Sequence, residues 1–159
     1  MKEELTLVLI KPDGVQRRLI GEIIARFERK GLRIAALKLM RVKQDAARSL
    51  YDVHRGKPFC EPLVRFATSG PLVAMVVVGK AAISVVRTLL GKTLSAEAAP
   101  GTIRGDLGVS NRFNLVHGSD SAESAAREIP LFFSAEEILD YEPCDLHWIY
   151  DFTEGTGPV

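Results

Sequence analysis

The sequence contains little cysteine and no excess of charge of either sign. Only Cys60 and Cys144 occur among its 159 residues, far apart and outside any Cys-x-x-Cys spacing. A disulfide scaffold and a zinc site are therefore poorly supported, and both side chains are expected to be reduced thiols. The 21 basic and 20 acidic residues leave a formal charge of +1, without a block of five or six like charges. Because general nucleic-acid and membrane-surface proteins usually carry a basic stripe, neither role is expected, and any anion site must be local.

Long apolar runs are also missing. Leu5–Ile10 is too short for the apolar region of a signal peptide, and Leu72–Val78 is far shorter than a membrane span. These absences predict, by elimination, a cytoplasmic protein without a membrane partner. The motifs of phosphate-loop NTPases, dinucleotide folds, zinc proteases, serine hydrolases and protein kinases are absent too, so their mechanisms are not expected.

Apolar spacing predicts an alternation of strands and helices within one domain. Strands are predicted at Leu5–Ile10, Leu32–Val42, Leu72–Val78 and Asn114–His117. Helices are predicted near Ile20–Phe27, Gln44–Arg55, Glu61–Ala67 and Ala82–Leu89, and after a capping pair of Asp120 and Glu123. Lys11–Gly14 is interpreted as a tight turn and Leu94–Gly105 as a loop. The order predicts an α+β domain of the split βαβ kind over residues 1–152 and a flexible tail over 153–159, whereas the strand order stays open.

One histidine lies at a position suited to chemistry. His117 begins a His-Gly-Ser-Asp element at the end of a predicted strand and just before a helix cap. A side chain at such a position is exposed enough to react and lies close to free backbone N–H groups, which favour an anion. A histidine that merely occupies a turn is the commoner case, so this segment alone leaves both interpretations open.

Three basic residues add weight to an anion site. Lys11 ends a strand, Arg87 lies on the polar side of a helix, and Arg104 lies in the Gly-rich segment Pro100–Asp106. They could converge on a phosphate, although each alone is more often a solvated surface charge. Glu128 has no cation three or four residues away with which to pair, so it is free for another role.

Four motifs occur in a fixed order along the chain. They are Lys11–Arg17, Ser69–Pro71, Pro100–Asp106 and Asn114–Ser121. In this order and at this spacing the chain resembles the nucleoside diphosphate kinase family, over about Leu5 to Tyr150, and the last two motifs are specific to that family. The resemblance implies a ferredoxin-like fold, a four-stranded antiparallel sheet covered by helices. It also implies a ping-pong reaction in which a nucleoside triphosphate, mainly ATP, phosphorylates a histidine and a nucleoside diphosphate removes the phosphoryl group, which maintains nucleotide pools.

The resemblance assigns roles to particular residues. His117 would be the nucleophile, attacking through Nδ1 to give a pros-phosphohistidine, with Ser119 and Glu128 orienting its ring. The phosphates and the nearby sugar hydroxyl would contact Lys11, Tyr51, Arg87, Thr93 and Arg104, with Asn114 also on the ribose. Phe59 would stack on the base, near Leu63 and Val64. Mg²⁺ is expected to bind the nucleotide phosphates and water, with Asp120 touching it through water.

The same resemblance implies binding partners, and the sequence also differs from the usual pattern of the family at several positions. It implies nucleoside di- and triphosphates, ATP and GTP among them, as ligands and a homo-oligomer, either a tetramer or a hexamer. Leu94 and Ser95 replace the usual Asn or Asp followed by Pro in a loop of subunit contacts, so the subunit number stays open. Cys60 stands where an aromatic residue is usual, Asn111–Phe113 differ from the common form, and Pro130 is expected to end its helix early.

Two other functions remain as alternatives. The first is a catalytically silent nucleotide-binding or regulatory module on the same scaffold, which the retention of every matched site residue disfavours. The second is a nucleic-acid binder, which the near-neutral charge makes unlikely to bind other than weakly and with steep salt dependence.

Overall fold

A computed structural model describes residues 3–152, which form a four-stranded antiparallel sheet covered by helices. The strands are β1 (Glu3–Ile10), β2 (Arg33–Met40), β3 (Leu72–Lys80) and β4 (Val116–Gly118). Their order is β2-β3-β1-β4, which answers the question that the sequence left open. The predicted α+β, ferredoxin-like single domain is confirmed, and the predicted tail at 153–159 lies outside the described residues.

Helices surround the sheet in chain order. The α-helices of residues 3–152 are α1 (Pro12–Gln16), α2 (Ile20–Arg29), α3 (Gln44–Leu50), α4 (Cys60–Ala67), α5 (Ala82–Leu90), α6 (Ile103–Leu107), α7 (Ala122–Glu128) and α8 (Leu146–Ile149). Short 3₁₀ turns lie at Asp52–His54, Ser95–Glu97, Ile129–Leu131 and Ala135–Glu137. None of the helices in the described part of the chain combines the length and the apolarity that crossing a membrane requires.

The sheet separates two hydrophobic cores. Side chains of a strand alternate between its faces, so Leu7 and Leu9 of β1 pack into one core while Val8 and Ile10 pack into the other. The first core is covered by α3, α4 and α7, and the second by α2, α5 and α6. A strand that is buried on both faces has a continuous apolar sequence, which explains the runs in β1 and β3.

Two elements begin or end elsewhere than predicted. Lys11–Gly14 is no isolated turn, because Pro12 starts α1 with the fixed φ that suits a first helical turn. The helix predicted over Gln44–Arg55 ends at Leu50, and the chain continues as the 3₁₀ turn at Asp52–His54.

The segment before the histidine motif contains more regular secondary structure than the sequence predicts. The predicted loop Leu94–Gly105 contains a 3₁₀ turn and the start of α6, whose cap is Thr102: its hydroxyl accepts a hydrogen bond from the N–H of Gly105 at 3.0 Å. Arg104 therefore lies in the first turn of a helix. The last strand runs over Val116–Gly118 instead of Asn114–His117, since Leu115 has φ +70° and cannot extend a strand.

The N-cap of α7 is Ser121, one residue after the predicted Asp120. The hydroxyl of Ser121, not the carboxylate of Asp120, accepts the N–H of Ser124 at 3.0 Å. Ser134 and Glu137 form a capping box that opens the 3₁₀ turn at Ala135–Glu137. Helix α7 ends at Glu128, just before the turn that contains Pro130, as the early stop predicted.

Candidate active site

Strands β1 and β4 place the histidine beside a helix end. His117 pairs directly with Leu9, and residues opposite each other in an antiparallel pair share a face of the sheet. Leu9 faces the core covered by α7, so the His117 ring points to the end of α7 and to Tyr51. The Tyr51 and His117 ring centroids are 6.5 Å apart with the planes at 82°. The backbone register of two strands therefore decides where the imidazole lies.

The imidazole is held by a buried carboxylate. The Nε2 atom of His117 lies 2.9 Å from Oε2 of Glu128, and the hydroxyl of Ser119 donates to the same oxygen at 2.7 Å. A carboxylate only accepts hydrogen bonds, so in the neutral ring Nε2 carries the proton and Nδ1 has the free lone pair. Within residues 3–152 Nδ1 has no hydrogen-bond partner, and the side chain is 20% exposed. This geometry presents Nδ1 as a nucleophile.

Glu128 is ionised in this arrangement. Burial raises the pKa of Glu128, but the hydrogen bonds from His117 and Ser119 and the charge of Arg127 outweigh it and hold the pKa below its ordinary value. Arg127 lies 3.4 Å from Oε1 of Glu128, so this carboxylate has a neighbouring cation that helical spacing alone did not indicate. Glu128 and Ser119 therefore lie where an orienting pair for the ring is needed.

Two arginines bracket the histidine along β4. Arg104 donates to the carbonyl of Val116 at 2.7 Å, and Arg87 donates to the carbonyl of Gly118 at 3.5 Å. Burial and then the positive charge of Arg87 together lower the pKa of Arg104 to about 10. The two guanidinium groups therefore lie close to each other and beside His117, as convergence on a phosphate requires.

Lys11 completes a cluster of three cations. Its ammonium donates to Oδ1 of Asn114 at 2.6 Å. Burial and then the charge of Arg104 lower the pKa of Lys11 to about 8, against the opposing effect of Asp13. Lys11 and Arg104 are both buried, so the interpretation of these two as solvated surface charges is wrong, whereas Arg87 is exposed. Cations that lie close together repel one another, which favours the binding of an anion among them.

Asn114 connects the cluster to the segment after α5. Its amide donates to the carbonyl of Thr93 at 3.1 Å, while its own backbone carbonyl accepts from Arg104 at 3.2 Å. Arg104 also donates to the carbonyl of Gly91 at 2.8 Å, which leaves two of its five N–H groups for a ligand. The Thr93 side chain is exposed beside this network.

The remaining predicted residues lie around the start of α4. Phe59 is 47% exposed and contacts the ring of His54 edge to face, with centroids 5.2 Å apart. Ordinary core packing does not describe Phe59, whereas Val64 is buried in the core and Leu63 is partly buried against it. The exposed ring offers a face on which a planar base can stack.

Three neighbours of the site were missed by sequence reasoning. His54 lies near His117, and its pKa is lowered by burial and then by the charges of Lys57 and His117. Asp13 and Leu115 contact each other at the base of the cluster. The spacing of His54 three residues after Tyr51 was a usable signal, whereas nothing in the sequence indicated the contact between Asp13 and Leu115.

The donor set suits a metal carried by a ligand better than one bound by the protein. In the described part of the chain no three His, Cys, Asp or Glu side chains gather as a potential metal site. Asp120 is exposed, and its pKa is lowered chiefly by the hydrogen bond from the Ser124 hydroxyl. A single exposed carboxylate beside a cluster of cations fits Mg²⁺ that arrives with phosphate oxygens.

Comparison with protein-family models identifies the chain. Residues 4–138 match the model described as nucleoside diphosphate kinase, which covers most of the chain. This chain belongs to the nucleoside diphosphate kinase family. The predicted resemblance is confirmed, and the chain is accordingly a phosphotransferase that acts on nucleotides.

Individual members of the family are closely similar to this chain in sequence. The nucleoside diphosphate kinase of Archaeoglobus fulgidus is 58% identical over 148 residues, 93% of this chain and 98% of that protein. That of Staphylothermus marinus is 59% identical over 141 residues, 89% of this chain and 100% of that protein.

Solved structures of the family share the fold. A halophilic nucleoside diphosphate kinase from Halobacterium salinarum in complex with CDP has a TM-score of 0.92 at 47% identity, covering 94% of this chain and 100% of its own. A transition state mimic of the enzyme from Borrelia burgdorferi with bound vanadate and ADP has a TM-score of 0.85 at 38% identity, covering 90% and 94%.

Proposed function

We propose that this nucleoside diphosphate kinase works by a ping-pong exchange through a phosphohistidine at His117. The observation that carries the proposal is the hydrogen bond from Nε2 of His117 to the ionised Glu128, which places the proton of the neutral ring on Nε2 and its lone pair on Nδ1. Nδ1 belongs to a ring bracketed by Arg87 and Arg104, whose charges suit a transferring phosphoryl group. A nucleophile held by an ionised partner is the arrangement that covalent catalysis uses.

Each half of the exchange balances. Nδ1 attacks the γ-phosphorus of a nucleoside triphosphate, the bond between that phosphorus and the bridging oxygen breaks, and a nucleoside diphosphate leaves. A terminal oxygen of a second nucleoside diphosphate then attacks the phosphorus, and the N–P bond breaks. The proton on Nε2 stays with His117 throughout, since its bond to Glu128 compensates the charge that develops on the ring.

The same contacts support a proposed placement of the nucleotide. Lys11, Arg87 and Arg104 would bind phosphate oxygens, Asn114 and Thr93 the sugar side, and Phe59 the base. The bound CDP and the bound ADP with vanadate in the two family structures support a site for both pyrimidine and purine nucleotides. Stacking uses a face that every base has, so we expect broad tolerance of the base.

Mg²⁺ is part of the proposal. It would bind phosphate oxygens of the nucleotide, neutralise part of their charge and contact Asp120 through water. Addition of EDTA is expected to stop turnover, and full activity in EDTA would remove the metal from the proposal.

The labelling assay tests the mechanism directly. Incubation of the purified chain with ATP labelled at the γ-position is expected to leave acid-labile, base-stable label on His117. Addition of GDP should then release all of that label as GTP. Nucleotide binding without any labelled protein would favour the silent regulatory module, and filter binding of nucleic acid at two salt concentrations would test the nucleic-acid alternative.

We expect kcat/KM to fall at basic pH as Lys11 loses its charge. The pKa of Lys11 in the free protein is lowered to about 8, chiefly by burial, so its ammonium is present below that pH and lost as the pH rises through it. Because kcat/KM reports the free enzyme, we expect kcat/KM to fall as the pH rises through about 8, while the limb in kcat lies higher since bound phosphates favour the ammonium. A profile of both constants from about pH 6 to about pH 10 measures this. Lys11→Arg, which stays charged, should lack the limb, and a wild-type kcat/KM that is flat across the whole range would contradict the role of Lys11.

The assembly and the location are also proposals. Strand β2 is an edge strand whose outward Leu37 and Leu39 are 51% and 62% exposed, which suits pairing with a second copy. The proposed tetramer or hexamer is tested by a light-scattering mass, and a monomer would contradict it. The cytoplasmic location stays a prediction that cell fractionation tests.

A further inference from the structure

The residue two positions before the nucleophile has an unusual backbone. Leu115 has φ +70°, a region that a branched side chain rarely adopts. The N–H of Val116 donates to the carbonyl of Asn114 at 2.8 Å, so Leu115 is the centre of a three-residue γ-turn of the strained hand. Strain of this kind persists only where surrounding contacts hold it.

The contacts that hold the turn come from one short segment. The N–H of Leu115 donates to Oδ2 of Asp13 at 3.1 Å, and the carbonyl of Leu115 accepts the N–H of Lys11 at 2.8 Å. Both backbone polar groups of the strained residue are therefore satisfied by Lys11 and Asp13. The two ends of the turn are Asn114, which binds the Lys11 ammonium, and Val116, which precedes His117.

Asp13 has few other partners. Its Oδ1 atom is buried and has no hydrogen-bond partner within residues 3–152. A buried carboxylate oxygen without a partner costs stability, so the benefit of Asp13 lies in the contact that its other oxygen makes with Leu115. The negative charge of Asp13 also acts on Lys11, in the sense that opposes burial and the charge of Arg104.

We propose that Asp13 is a positioning residue for phosphoryl transfer, because its carboxylate holds the strained turn at Leu115 and thereby keeps Asn114 and His117 in register with Lys11. The inference rests on the proposed function, since it needs His117 as the phosphoryl acceptor. Asp13 itself touches no reacting atom. Displacement of a nucleophile by about 1 Å can slow a reaction about 100-fold without loss of binding, and this is the effect that a lost turn would have.

Two variants separate the hydrogen bond from the charge. Asp13→Ala removes both, whereas Asp13→Asn keeps an oxygen that can accept the N–H of Leu115 but loses the charge beside Lys11. Asp45→Asn is the matched control, since Asp45 lies exposed in the first turn of α3. For each protein we would measure the single-turnover rate of phosphohistidine formation at saturating ATP, the Kd of ADP, and kcat/KM against pH.

The expected results differ between the variants. Asp13→Ala should slow phosphohistidine formation by at least about tenfold, with the Kd of ADP changed by less than about threefold. Asp13→Asn should keep most of the rate at neutral pH, while its basic limb in kcat/KM moves to lower pH because Lys11 loses an opposite charge. The control should match the wild type in all three measurements.

Several results would overturn the inference. These are a rate for Asp13→Ala within about twofold of the wild type, an equal loss of binding and rate, or an Asp13→Asn variant as slow as Asp13→Ala. If Asp13→Ala fails to fold, Asp13→Asn decides, because it keeps the acceptor for the N–H of Leu115: a rate of phosphohistidine formation more than about tenfold below the wild type at neutral pH would contradict the proposal. Absence of phosphohistidine in the wild type would instead contradict the proposed mechanism, so the two failures are distinguishable.

Discussion

Replacement of His117 by alanine is expected to lower turnover by at least about 10⁴-fold and to remove all acid-labile label from the protein. The ring supplies the only protein atom that bonds to the phosphoryl group in the proposed exchange. Nucleotide affinity should change little, because Lys11, Arg87 and Arg104 supply the charges that hold phosphate. A coupled assay and calorimetric titration of ADP measure the two effects.

His54→Ala is the control for this substitution. His54 is a second imidazole close to His117 and contacts Phe59, so its removal should weaken nucleotide binding while the label on His117 persists. Label that remains in His117→Ala would move the acceptor to another residue. Lost binding in that variant would mean that the ring has mainly a structural role.

Replacement of Arg104 by lysine is expected to damage both the fold and the activity. The guanidinium donates to the carbonyls of Gly91, Asn114 and Val116 from a buried position. A lysine ammonium cannot reproduce this planar set of donors, and carbonyls left without partners are costly. We expect a loss of about 3 kcal/mol in the free energy of unfolding and a fall in kcat/KM of at least about 100-fold.

Arg87→Lys provides the comparison for Arg104→Lys. Arg87 is exposed and makes one long bond to Gly118, so its substitution should change the free energy of unfolding by less than about 0.5 kcal/mol. Its kcat/KM should still fall, because the charge beside the phosphoryl group loses its fork of donors. Urea unfolding curves for both variants measure the difference. Equal stability of the two would contradict a structural role of the Arg104 contacts.

Local apolar patterns predicted the sheet and the main helices, since burial on two faces leaves a clear trace in β1 and β3. The shortest helices, α1, α6 and α8, were missed. Helix α6 carries Gly105 and has only five residues, so its pattern was indistinguishable from a loop. At α7, Asp120 and Ser121 are both good capping residues, and only the three-dimensional path of the chain decides between them.

The residues of the candidate site were predicted from sequence motifs and not from their physical surroundings. The resemblance gave a role to Lys11 and Arg104, but a linear string contains no information about the burial that lowers the pKa of both. The contact between Asp13 and Leu115 joins residues 102 positions apart, and no local pattern indicates it. Such long-range contacts depend on the order of strands, which the sequence left open.

The alternation along β1 has a consequence for how this chain can change. Leu7 and Leu9 belong to one core and Val8 and Ile10 to the other, so inserting or deleting a single residue within the strand would exchange the two sets. It would also turn Lys11 from Asn114 and shift the partner that fixes His117. We therefore expect insertions and deletions to be tolerated only outside this strand, because the spacing of these few residues sets the position of the proposed catalytic groups.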